Sequence, residues 1–129
     1  MLINLKSKNI IITGGTSGLG LEIAKFLEPF NNVFIIGNKN SKKIKNLNKF
    51  KNSNIFKTDL TNSSKTEKIF RKINHITGKI DIILCFAGNS KPVLFKYINS
   101  THWLESFKCN FLTATNTIEN YDKVFKKKK

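Results

Sequence analysis

Thr13-Gly14-Gly15-Thr16-Ser17-Gly18-Leu19-Gly20 is the stretch from which the rest of this chain is read. An apolar run, Ile10-Ile11-Ile12, stands just before it, and an amphipathic segment, Leu21 to Leu27, follows. That pattern folds as strand, glycine turn and helix. Turning directly from strand to helix aims the helix's unbonded N–H groups and the positive end of its dipole at one point, where phosphate binds. Glycine is needed where the turn is tight and where backbone must touch a pyrophosphate with no Cβ in the way. Gly14, Gly18 and Gly20 are spaced G-x-x-x-G-x-G. The spacing differs from the G-x-G-x-x-G dinucleotide fingerprint, and no Gly-Lys-Ser/Thr follows to make a P-loop.

Working outward, strand and helix signals alternate, the sequence form of a doubly wound parallel sheet. Residues 9–13 read as the first strand and 18–28 as the first helix, ended by Pro29. Val33 to Gly37 is a second, apolar strand, and Ser41 then caps a lysine-rich helix with Ile44, Leu47 and Phe50 on one face. Residues 54–58 form a third strand closed by Asp59, and Ser63 or Ser64 caps a helix over 65–76 that Gly78 ends. Residues 80–86 read as a fourth strand, apolar enough for burial on both faces. One long helix is expected over 101–127, with Trp103, Phe107, Phe111, Ala114, Ile118 and Phe125 as its apolar stripe. The expected strand order is 3-2-1-4, in one domain over residues 1–129.

These motifs resemble the short-chain dehydrogenase/reductase family, whose cofactor signature is T-G-x-x-x-G-[ILV]-G. The resemblance covers essentially the whole chain and implies that Gly14, Thr16, Ser17, Gly18, Leu19 and Gly20 hold the pyrophosphate and ribose of a nicotinamide dinucleotide. Asp59-Leu60 is similar to the family's Asp-Val/Leu pair, which implies contacts to the adenine. Cys85-Phe86-Ala87-Gly88 stands where the family has N-N-A-G. Ala87 and Gly88 match and would line the cofactor, but both asparagines are missing, so the support they give in the family is weakened or re-wired. Trp103 and Asn110 are spaced like the family's tryptophan and the asparagine of its catalytic tetrad.

Cofactor choice is read at the end of the second strand, where an acid selects NAD through the ribose hydroxyl and a base selects NADP. This chain has Gly37, Asn38 and Lys39 there, with Lys42 and Lys43 beyond. No carboxylate repels a 2′-phosphate and three lysines could attract one, so the reading leans to NADP over NAD. The same lysines also fit a solvated helix face.

Hydride transfer in this family needs a Tyr-x-x-x-Lys pair, whose lysine lowers the tyrosine pKa, and an upstream serine. Tyr97 is followed four residues later by Thr101, and Tyr121 by Phe125. Neither fits. The expectation is therefore the N-terminal, cofactor-binding portion of such a dehydrogenase, which retains Asn110 alone of the tetrad and is inactive alone. Its fourth strand would be an apolar open edge, of the kind natural sheets seldom leave uncovered. The alternative is a non-catalytic nucleotide-binding or partner-docking module, a homo-oligomer or a chain completed by another through strand 4 and the 101–127 helix.

Bulk composition bounds the rest. A chain of 129 residues buries about two-thirds of its surface. The net charge of +15 rests on scattered lysines with Arg71 as the single arginine. Specific nucleic-acid recognition favours arginine, so none is expected. Cys85 and Cys109 lack C-x-x-C spacing and fit reduced thiols, His75 and His102 read as surface residues, and no metal site is expected. No apolar run approaches the roughly 20 residues of a membrane span, and the N-terminus lacks signal-peptide character, so a cytoplasmic protein is expected.

Overall fold

β1 (Asn9–Thr13) is an interior strand, paired with two strands that are themselves apolar: β2 (Asn32–Gly37) on one side and β4 (Ile82–Cys85) on the other. β3 (Ser53–Lys57) pairs with the far edge of β2. All pairings are parallel, as the alternation of elements predicts, and the order is the expected β3-β2-β1-β4. The computed structural model describes residues 5–38, 53–89 and 92–126. Lys39 and the expected helix with Ser41, Lys42, Lys43, Ile44, Leu47 and Phe50 lie outside the described residues.

Strand alternation sorts the core into two layers. Ile10, Ile12, Val33 and Ile35 point to one face, where Ala24 and Leu27 of α1 (Gly18–Leu27) cover them. Ile11, Phe34 and Ile36 point to the other, against Phe70 and Ile73 of α2 (Ser63–Thr77). Tyr121, Val124 and Phe125 of α4 (Thr113–Phe125) close that second layer, with the Phe70 and Phe125 rings edge to face at 6.3 Å. Helices on both faces of a parallel sheet make this a doubly wound, Rossmann-like arrangement. α2 and α4 are also tied at the surface, where Glu67 takes charged hydrogen bonds from Arg71 and Lys123.

Several local expectations are corrected. Asn62, rather than Ser63 or Ser64, caps α2, its side chain accepting the Lys65 N–H at 3.0 Å. α1 ends at Leu27, just ahead of Pro29 as expected, and Pro29 then sits in a 3₁₀ turn, Glu28–Phe30, since proline is tolerated in a first turn. β4 is shorter than expected and only half-buried at Ile82, Ile83 and Leu84, because no described strand pairs with its outer edge.

The long helix is the largest correction. It is α3 (Ser100–Phe107), a π turn (Lys108–Leu112) and α4 in unbroken succession. The apolar stripe faces solvent over much of its length: Trp103 is 67% exposed, Phe111 53% and Ile118 58%. The most deeply buried residues of α4 are polar, Thr113, Asn116, Thr117 and Asn120, and its apolar Tyr121, Val124 and Phe125 are half-buried at its end. A preceding 3₁₀ turn, Phe95–Tyr97, was not foreseen, and His102 has a structural task, its Nδ1 accepting the Asn99 N–H in the capping box of α3.

Candidate functional site

The C-terminal ends of the strands open on one side because the ladder is level there: Thr13 stands beside Ile36 in β2 and Cys85 in β4. The chain leaves each strand on that side, and the loops enclose a groove of about 520 Å³, within the usual range for a small-molecule site. Gly14, Thr16, Ser17, Gly18, Leu19, Gly20, Asn38, Asp59, Leu60, Ala87 and Gly88 all border it. Thus every cofactor-binding candidate among the described residues meets in one place. Asn110 stands behind the groove rather than on it.

The floor is the β1–α1 turn. Gly14 has φ +69°, and a Cβ there would lie 2.6 Å from the Phe86 carbonyl and 2.7 Å from the Ala87 nitrogen. Glycine at this position lets the first turn and the end of β4 touch backbone to backbone. Gly18 has φ +54° with no atom within 4 Å of a would-be Cβ, so its bare face is turned to open space at the mouth of α1. Among the described residues no side chain caps α1: Ser17 makes no side-chain cap bond and the first turn holds no acid. α2 and α3, by contrast, are capped by Asn62 and Asn99. An uncapped first turn with a bare glycine face is a fitting cradle for a phosphate. Thr16 is buried against the α-carbon of Gly37 and locks the turn to the end of β2, while Leu19 is largely exposed.

One wall is the loop after β3. Asp59 Oδ1 accepts the Thr61 N–H at 3.0 Å and the Thr61 hydroxyl at 2.7 Å, an Asx turn that fixes the loop before α2 begins. The opposite wall is the loop after β4. The Thr13 hydroxyl accepts the Ala87 N–H at 3.3 Å, and the Thr113 hydroxyl donates to the Ala87 carbonyl at 3.1 Å. Asn110 braces the next part of this loop in both directions, donating to the Asn89 carbonyl at 2.8 Å and accepting its N–H at 3.2 Å. A Cβ at Gly88 would sit 2.5 Å from Asn110 Oδ1, so Gly88 makes room for that bracket.

Cys85 lies at the top of β4 with Thr13 beside it. Desolvation pushes its thiol pKa up from the ordinary value, partly offset by a hydrogen bond from Thr13. Cys85 and Cys109 are both free. Among the described residues no group of His, Cys, Asp and Glu could hold a metal ion, and no helix is long and apolar enough to cross a membrane.

Sequence reasoning missed Thr13, Thr113, Asn116 and Asn120, which hold the walls in place. A signal was there, since 113, 116, 117 and 120 recur at helical spacing, but the residues are polar and periodicity was sought among apolar ones.

Comparison with known proteins agrees with this geometry. Residues 8–129 match the family described as short chain dehydrogenase. The chain is 29% identical over 125 residues to the uncharacterized oxidoreductase YvrD of Bacillus subtilis, covering 94% of this chain and 47% of that protein. It is 32% identical over 120 residues to the 3-oxoacyl-[acyl-carrier-protein] reductase FabG of Buchnera aphidicola, covering 88% and 49%. Among solved structures, an ElxO variant with NADPH bound is similar at a TM-score of 0.78 and 25% identity, covering 91% of this chain and 50% of that one. The chain spans about half the length of these relatives.

Proposed function

The chain belongs to the short-chain dehydrogenase family, and on that premise we propose that its 129 residues form one unit that binds a nicotinamide dinucleotide. The observation that carries the proposal is the uncapped, glycine-faced start of α1, set between two loop walls on one groove. In this reading the turn from Gly14 to Gly20 takes the pyrophosphate and the adjoining ribose. Asp59 and Leu60 border the adenine, Ala87 and Gly88 line the dinucleotide opposite, and Asn110 holds their loop in place. The bound nicotinamide is what gives or accepts a hydride, exchanged with an alcohol or carbonyl substrate in the family activity.

NADP is proposed over NAD. Gly37 and Asn38 at the end of β2 present no carboxylate to a 2′-phosphate, and Lys39 follows in sequence. The NADPH held by the ElxO relative points the same way. Titration of the chain with NADPH and NADH by calorimetry tests both claims. A saturable site with tighter NADPH binding is expected. Absence of binding up to about 1 mM refutes the site, and equal or tighter NADH binding refutes the preference.

These residues are proposed to bind without turning over, because the sequence holds no Tyr-x-x-x-Lys pair to move the proton. NADPH oxidation across a panel of carbonyl compounds should stay at the buffer rate. Robust turnover would refute this.

A second reading is favoured by β4, which pairs on one side only among the described strands, and by the exposed, stacked Phe107 and Phe111. It takes the chain as a non-catalytic module completed by another copy or another chain along that edge and helix. Sedimentation with and without NADPH separates the two, since a stable, discrete oligomer favours the module and aggregation favours the first reading.

A further inference from the structure

α4 reaches the groove from behind through a row of amides and hydroxyls, and one of them grips the wall assigned above to adenine. The Asn116 side chain donates from Nδ2 to the Leu60 carbonyl at 2.9 Å, across 56 residues of sequence. Asn116 is buried, at 9% exposure, and does not border the groove, whereas Asp59, Leu60 and Thr61 do. Farther along the row, Asn120 donates to the Asn116 carbonyl at 2.8 Å and to the Ser63 hydroxyl at 3.2 Å, just past the loop. Among the described residues the Leu60 carbonyl has one further side-chain donor, the Thr66 hydroxyl, at 3.5 Å, too long to hold it firmly. An amide buried on a helix face otherwise suited to leucine is costly unless bonded, so its presence marks the bond it makes.

We propose that Asn116 is a positioning residue for the adenine half of the dinucleotide, acting through the Leu60 carbonyl to hold the loop of Asp59, Leu60 and Thr61 at its working distance from the glycine turn. The proposal rests on the dinucleotide reading and adds to it that the adenine wall is set from α4 by a side chain that does not itself border the groove. Without the amide, the loop keeps the Asx turn within itself and the buried Leu60 side chain but loses its hydrogen bond to α4. Affinity for the half of the ligand that leans on this wall falls, and affinity for the other half does not.

The test uses the full chain, wild type and Asn116→Ala, with three probes: NADPH, ADP, and reduced nicotinamide mononucleotide, which lacks adenosine. The expected result is about a tenfold rise in Kd for ADP and NADPH, with the mononucleotide unchanged within about twofold. A merely structural role would weaken all three together or none. Either of those outcomes overturns the proposal. Asn116→Ser, whose hydroxyl is too short to reach Leu60, is measured beside it; if neither variant keeps the wild-type far-UV circular dichroism spectrum, Asn116 belongs to the fold alone and the proposal fails. Wild-type chain that binds no probe overturns the dinucleotide reading itself. Wild-type binding with an unchanged ratio in the variants overturns only the role of Asn116.

Discussion

Gly14→Ala and Gly18→Ala form a matched pair whose effects should fall on different properties of this protein. Both glycines have positive φ, +69° and +54°, so each substitution carries the left-handed cost of about 1 kcal/mol. The difference lies in what a new methyl meets. At Gly14 it would stand 2.6 Å from the Phe86 carbonyl atoms and 2.7 Å from the Ala87 nitrogen, backbone that β1 and β4 hold in register. Relieving that overlap means prying the turn off the end of β4, an overpacking cost of about 1–3 kcal/mol added to the conformational one. Gly14→Ala should therefore lose about 2–4 kcal/mol, a large share of the roughly 5–15 kcal/mol that holds a domain together. With a urea slope near 2 kcal/mol per molar, the midpoint by far-UV circular dichroism falls by about 1–2 M. At Gly18 the methyl meets nothing within 4 Å, so the midpoint should move by about 0.5 M or less. NADPH affinity should instead fall at least about tenfold, because the methyl takes the space through which backbone approaches phosphate. A Gly14→Ala midpoint within about 0.5 M of wild type, or a larger loss for Gly18→Ala than for Gly14→Ala, refutes the reasoning.

Three other outcomes are expected. Glu67 is held below its ordinary pKa by hydrogen bonds from Lys123 and then Arg71, and Asp81 by the Asn9 N–H. A depressed carboxyl stabilises the fold above its unfolded pKa and stops doing so as pH falls through its folded one. The stability gap between wild type and Glu67→Gln should therefore be present at neutral pH and close below about pH 4, and a constant gap in denaturation midpoints across that range would contradict the pairing. Phe70→Ala empties the space facing Phe125 and should cost about 3–5 kcal/mol by the same urea assay, while Phe111→Ala, on the exposed face, should cost under about 1 kcal/mol. Cys85 should react with iodoacetamide along a pH profile displaced upward from that of N-acetylcysteine, and Thr13→Val, which removes the hydroxyl opposing the shift, should displace it further. A downward move in the variant would show that Thr13 does not support the thiolate.

The architecture and the floor of the site were legible in the sequence because they depend on local requirements. Ile10 to Ile12 and Val33 to Ile36 are continuous apolar runs, which a strand covered on both faces needs, and the glycine turn has few alternative uses. Strand order followed from the resemblance, and the level strand ends brought Gly14, Asp59 and Gly88 to one groove. The helix after β4 was harder to read. Trp103, Phe107 and Phe111 are periodic and apolar, yet they face outward. Periodicity says which residues share a face, and only tertiary contact says which face is covered. The partners of Thr13, Asn110 and Asn116 lie tens of residues away, in loops whose backbone groups carry no sequence signature. Asn62 took the cap of α2 ahead of two serines for a related reason: any of the three can cap, and the course of the preceding loop decided among them.

The π turn at Lys108–Leu112 makes this segment a question of length as much as of side chains. A π turn takes up one more residue than the α-helical turn it replaces, and each residue in a helix turns the chain by about 100°. That extra residue is absorbed within the turn, so a one-residue deletion between positions 108 and 112 can close it to a regular α turn and leave α4 on about the same face. A deletion just beyond it, at Ala114 for example, has no such slack and would swing the rest of α4 by about 100°, carrying Asn116 and Asn120 away from Leu60 and Ser63 although both side chains would still be present. The π turn is therefore where this helix can give up a residue, and the regular turns after it are where it cannot.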